Sequence, residues 1–155
     1  MKYIDFEAQL AQIGGELAAQ VVDNFDHFWT NRHPQQTDGV TKTRKISKED
    51  GLITFSKQSS VEIEYIFRAL AHQIPIKCQL SNGRTVYLDG ATCDDSPSNC
   101  QERFYHDKAK SVLFIRASND QFVGFKSFKI EGKSVIYPAG AFYANFLKQK
   151  DIFFV

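Results

Sequence analysis

The chain has 155 residues, 43% of them hydrophobic and 14% aromatic, and its 19 basic and 18 acidic residues leave a formal net charge of +1. That length suits one domain, residues 1–155, with a core of its own, and near-neutrality excludes a global electrostatic pull toward nucleic acid or an anionic membrane. No apolar run approaches the roughly 20 residues that span a bilayer, and Met1–Leu10, with Asp5 and Glu7, lacks the basic-then-apolar pattern of a secretion signal; the expectation is a cytoplasmic protein with no membrane partner.

In chain order, Ile4 to Trp29 is a long amphipathic helix. Phe6, Leu10, Ile13, Leu17, Val21, Phe25 and Phe28 recur in steps of three and four, which puts them on one face. Gly14-Gly15 in its middle costs about 1 kcal/mol per glycine relative to Ala, so the pair marks a kink, a break or a close approach by another backbone. Thr30 to Lys45 is a polar loop that runs into an edge strand near Val40–Ile46. Leu52–Phe55 pairs with it across a turn carrying Asp50-Gly51. Ser59-Ser60-Val61-Glu62 has the spacing of a capping box. Ile63, Ile66, Phe67 and Leu70 continue a second helix over 60–73, which Pro75 ends.

Ile76–Leu80 and Arg84–Leu88 flank Ser81-Asn82-Gly83, a hairpin signal. Residues 89–99 read as a loop, and 101–110 fit helix and strand equally well. The most strongly β-patterned stretch follows. Val112–Ile115, Phe122–Ile130 and Val135–Tyr137 form a meander with turns at Asn119-Asp120 and Glu131-Gly132, stopped by Pro138. Phe142, Tyr143, Phe146 and Leu147 mark a third helix, with Lys148 and Lys150 near its C-terminal end. Ile152–Val155 is too apolar for a free tail and is expected at a sheet edge or in the core. The fold class is therefore α+β: the long N-terminal helix and the second helix packed on one face of a curved, mostly antiparallel sheet of five to seven strands.

Several constellations bear on chemistry. Cys78, Cys93, Cys100 and His106 lack the close pair that a zinc knuckle needs. Asp89, Asp94, Asp95 and Glu102 do not follow the calcium-loop spacing. No metal and no cofactor is expected. A Cys–His pair for thiol catalysis has no local signature, and Cys93 and Cys100 are close enough in sequence to bridge a loop. Asp120 followed by Glu131-Gly132-Lys133 superficially resembles the PD-(D/E)xK nuclease pattern, in which two carboxylates hold Mg²⁺ and a lysine sits near the phosphate. Against it, Glu-Gly reads as a turn, whereas that motif needs a regular strand to put both side chains on one face. Lys42, Arg44, Lys45, Lys48 and Lys57, with Lys126, Lys129 and Lys133 beside Phe125 and Phe128, suit phosphate and base contacts. They equally suit edge protection by lysine.

The favoured expectation is a small non-catalytic binding protein working through an aromatic sheet face built from Trp29, Phe114, Phe122, Phe125, Phe128 and Tyr137. Its partner is a protein, a second copy of the chain included, or a small apolar ligand. The rivals are a Mg²⁺-dependent nuclease using Asp120, Glu131 and Lys133, and nucleic-acid binding without catalysis, which the charge balance disfavours.

Overall fold

The computed structural model describes residues 2–93, 97, 100–148 and 152–155. Asp94, Asp95 and Lys150, named above, lie outside them. The chain forms two compact units, Met1–Ile46 and Ser47–Val155.

The first unit is helical. Helix α1 runs over Tyr3–Asp23 and α2 over Phe25–Thr30. The break falls at Asn24 and not at Gly14-Gly15. The Asn24 side chain and backbone N–H both donate to Gln20 O, at 3.1 Å each, so a short amide side chain competes for the helix's own carbonyls and ends it. The glycine pair passes through as ordinary helix with nothing within 4 Å of either added Cβ. None of the residues of α1 or α2 is buried.

The second unit carries the sheets. A capped 3₁₀ turn, Lys48–Gly51, leads into β1 (Leu52–Ile53). No strand forms at 40–46; β1 pairs instead in parallel with β2 (Lys77–Gln79), through the crossover helix α3 (Ser60–Leu70). The capping box is present: Glu62 N–H donates to Ser59 Oγ at 3.3 Å, and Ser59 N–H donates to Glu62 Oε2 at 2.7 Å. Strand β3 (Thr85–Asp89) returns from β2 around Gly83, whose φ of +79° suits glycine. The ambiguous 101–110 stretch supplies β4 (Phe104–Asp107), followed by β5 (Val112–Arg116), β6 (Phe122–Phe125), β7 (Ser127–Ile130) and β8 (Ile136–Pro138). The order is β1-β2-β3-β7-β8 in one sheet and β4-β5-β6 in the other. All pairs except β1–β2 are antiparallel. The one curved sheet of five to seven strands is thus two sheets with eight strands among the described residues.

The cause is the bend at Lys126, which splits the expected single strand Phe122–Ile130. Lys126 N–H donates to Asp89 O at 3.0 Å and its carbonyl accepts from Ala139 N–H at 2.9 Å, so the bend leaves no orphaned backbone group. Beyond β3, Thr92 exchanges two backbone bonds with Gly124 of β6. One ribbon therefore crosses from sheet to sheet, β6 in one and β7 in the other. An added Cβ at Gly124 would stand 2.5 Å from Val112 Cγ1 and 2.8 Å from Phe114 Cε1.

The main core draws on residues from Ile53 to Phe154. Its cover comes from α3, through Ile63 and Phe67, and from α4 (Ala139–Phe142) with the π-helical turn Tyr143–Leu147. Phe128 and Phe142 stack at 4.4 Å, and Phe154 packs beside both. The C-terminal segment is pinned as expected: Phe154 bridges Leu80, and Val155 O accepts from Phe55 N–H. No helix among the described residues is long and apolar enough to cross a membrane.

Two predictions follow from this packing. Gly124→Ala will lower unfolding stability by about 1–3 kcal/mol through overpacking, read as a shift of the urea midpoint without change of slope. Hydrogen bonds from the Ser59 backbone and hydroxyl hold the Glu62 carboxyl below its ordinary value of 4.5. Folding lowers that pKa, so Glu62 stabilises the protein above pH 4.5 and ceases to do so as the pH falls through its folded-state value. Glu62→Gln will accordingly flatten the acid limb of the thermal-midpoint profile and leave its alkaline limb unchanged.

Candidate functional site

The residues expected to form an aromatic face are dispersed. Phe125 and Phe128 belong to the main core, Phe114 and Phe122 to a small second cluster with Val112, and Tyr137 is half-buried. These phenylalanines are interior because β5 and β6 bury both faces (the run Val112–Ile115 is buried throughout) and β7 turns Phe128 and Ile130 inward. Trp29 is exposed in the first unit, stacked on Phe25 at 5.8 Å with the Arg32 guanidinium 4.0 Å from its ring.

The nuclease constellation is not assembled. Asp120 sits in the β5–β6 turn with φ +60°, and Glu131-Gly132-Lys133 is a turn after β7, closed by Lys133 N–H to Ile130 O. Phe122–Ile130 separates the two carboxylates, about 30 Å of strand if straight. Glu131 accepts from Tyr87 Oη at 3.1 Å, which raises the Tyr87 pKa, and Lys133 Nζ lies 5.8 Å from the Phe146 ring. No group of three His, Cys, Asp or Glu side chains able to hold a metal occurs among the described residues. The three sulfurs form no disulfide. Burial pushes the Cys78 thiol well above its ordinary 9.0, so it is protonated and a poor nucleophile.

A groove of about 380 Å³ forms at the turn end of the β5–β6 hairpin. Its floor is apolar: Phe55 after β1, Phe104 of β4, Ile115 of β5, and Phe154. Its rim is polar and cationic, with Arg103 before β4, Arg116 at the end of β5, Ser118 and Asp120 in the turn, and Ser56. Arg116 N–H donates to Arg103 O at 3.1 Å, so the ladder places the two arginines side by side. The Arg103 guanidinium lies 4.6 Å from the Phe153 ring.

Arg116 is fixed more tightly. Nη2 donates to Cys100 O, Nη1 stands 3.6 Å from Asp120 Oδ1, and the guanidinium is 5.3 Å from the Phe122 ring. Its Nε is buried with no hydrogen-bond partner among the described residues. The turn is anchored from below: Asn119 Oδ1 accepts from Ser60 N–H, and buried Ser60 donates from Oγ to Gln121 Oε1 at 2.9 Å. A fixed guanidinium at Arg116 and an exposed one at Arg103, each beside an aromatic ring, suit a planar or anionic group. Among the described residues, the titratable side chains that line the groove are Arg103, Arg116 and Asp120. Sequence reasoning named Asp120 only as a carboxylate of the nuclease constellation and did not name Arg103 or Arg116. The available signal was an arginine closing the buried run Val112–Ile115 just before turn residues.

The formyl transferase, C-terminal domain model matches residues 45–145, well over half of the chain. Mitochondrial methionyl-tRNA formyltransferase of Bos taurus is 28% identical over 92 residues, covering 59% of this chain and 24% of that protein. The Homo sapiens protein of the same name is 29% identical over 73 residues, covering 47% and 19%. The chain thus spans about a quarter or less of the curated relatives it matches. Among solved structures, HypX from Aquifex aeolicus superposes with a TM-score of 0.58 at 15% identity, over 86% of this chain and 24% of HypX, a likeness of fold. These matches overturn the expectation of a non-catalytic binding protein, together with its rivals, a Mg²⁺-dependent nuclease and nucleic-acid binding without catalysis. The chain belongs to the formyl transferase C-terminal domain family.

Proposed function

We propose that the chain serves formyl transfer, with a charged tRNA of the methionyl type as acceptor and the Arg103–Arg116 groove engaging that acceptor. The observation that carries the reading is the family match over residues 45–145, which contains the groove's β4–β5 arginines and the Asp120 turn. The acceptor class comes from the names of the two mammalian relatives. The groove supports it chemically, because guanidiniums suit phosphate oxygens and an aromatic-lined floor suits a planar base. Arg103 is exposed and free to reorient toward a ligand, whereas Arg116 is already tied to Cys100 O and Asp120. The compartment we propose is the cytoplasm, as three cysteines without a disulfide suit a reducing environment; the two mammalian relatives are mitochondrial by name.

The native protein, supplied with a formyl donor and methionyl-tRNA, will yield the formylated tRNA. Arg103→Ala will raise the KM for the tRNA roughly tenfold, the equivalent of one lost charge-assisted contact, while kcat and the unfolding midpoint stay near wild type. An absence of formylated product, or an unchanged KM in Arg103→Ala, contradicts the reading. Arg116→Ala will also lower stability, by about 1–3 kcal/mol, because it leaves the Cys100 carbonyl without its charged donor. Denaturant titration separates that loss from any change in KM.

A further inference from the structure

Asp120 puts a carboxylate on a groove rim that otherwise carries two guanidiniums. Its Oδ1 stands 3.6 Å from Arg116 Nη1. That is close enough for attraction between charges and too long for a hydrogen bond. We propose that Asp120 is a displaceable internal counter-ion, which screens Arg116 in the free protein and gives way when a phosphate group of the acceptor takes Nη1. This role rests on the groove being the acceptor's anion site. It adds the residue that sets how tightly the anion is held.

The simpler role for Asp120 is to orient Arg116, and the geometry argues against it. Nη2 donates to Cys100 O, the guanidinium lies 5.3 Å from the Phe122 ring, and Nε is buried. Those contacts already fix the plane and one edge of the group. The Asp120 side chain is 87% exposed, against 26% for that of Arg116. An exposed ion pair adds little to stability, so the carboxylate can leave at small cost and recover its water.

The turn does not depend on the carboxylate either. Asp120 N–H donates to Ala117 O at 3.1 Å and Ala117 N–H to Gln121 O at 2.8 Å, and Asn119 and Gln121 are anchored on Ser60. A phosphate oxygen about 2.7–2.9 Å from Nη1 makes the charge-assisted hydrogen bond that Asp120 does not. The exchange therefore favours the phosphate, while the carboxylate beside it still repels it. Asp120 lowers the affinity of the groove without blocking it. Its φ of +60° is a left-handed position that Asp and Asn both accept, so Asp120→Asn removes the charge and keeps the shape.

Calorimetric titration of the full chain with two probes, inorganic pyrophosphate and methionyl-tRNA, tests this. At low salt Asp120→Asn will bind both about threefold more tightly than wild type. The gain will fade by about 0.5 M salt, where exposed charges are screened. The melting midpoint will not move, and the ¹⁵Nε–H signal of Arg116 in the free variant will keep its wild-type position, because the guanidinium has not turned. Equal or weaker binding by Asp120→Asn overturns the proposal, as does a gain that salt leaves intact or a protein that binds neither probe. The two readings fail separately. Tighter pyrophosphate binding without any methionyl-tRNA binding supports the counter-ion and removes the acceptor. Methionyl-tRNA that is bound and formylated, with no gain in Asp120→Asn, overturns the counter-ion alone.

Discussion

The crossing of the Phe122–Ile130 ribbon from one sheet to the other at Lys126 is the constraint on which the rest of the second unit depends. It lets the buried side chains of both sheets converge on one aromatic core, with Phe125 just before the bend and Phe128 just after it. The bend is tolerable because both Lys126 backbone groups are paired, and because Gly90 and Gly124 stand where a side chain would collide with Lys126 Cβ or with Val112 and Phe114. Replacing the bend by straight strand would return β6 to the sheet of β7 and leave the inner faces of β4 and β5 without cover.

That geometry also makes the groove. The β5–β6 turn projects beyond the core, and the C-terminal strand segment runs past it between Phe55 and Leu80. The space between them is floored by core aromatics and rimmed by two arginines that neighbouring strands hold in register. The polar rim draws on rigidity from the hydrogen-bonded set Ser60, Asn119 and Gln121. The groove is therefore a consequence of where the hairpin ends, and the aromatic residues contribute mostly from inside.

Local features of the fold were legible in the sequence where local chemistry decides the outcome. The Ser59–Glu62 capping box, the Asn82-Gly83 hairpin and the Glu131-Gly132 turn each rest on a few adjacent residues, and each forms. Features that depend on distant partners were not legible. Nothing near Val40–Ile46 announces that Leu52-Ile53 will pair in parallel with Lys77-Cys78 instead. Nothing in the alternation of Phe122–Ile130 announces a change of sheet at Lys126, because the residues that accept the bend, Asp89 and Ala139, are far along the chain. The site fared likewise: the Phe-rich meander drew attention to side chains that are buried, while Arg103 and Arg116 meet only through the β4–β5 ladder. The apolar stripe read along Ile4–Trp29 is interrupted at Asn24, which leaves Phe6 to Val21 on α1 and Phe25 and Phe28 on α2.

The account's central claim is that the Arg103–Arg116 groove receives the acceptor of a formyl-transfer reaction. A ¹⁵N NMR titration of the protein with methionyl-tRNA tests it most directly. The account predicts shifts concentrated on the amides of Arg103, Arg116 to Asp120 and Phe153 to Val155, with the β2–β3 hairpin at Gly83 unmoved. Shifts centred on another face, or none at low salt, would contradict it.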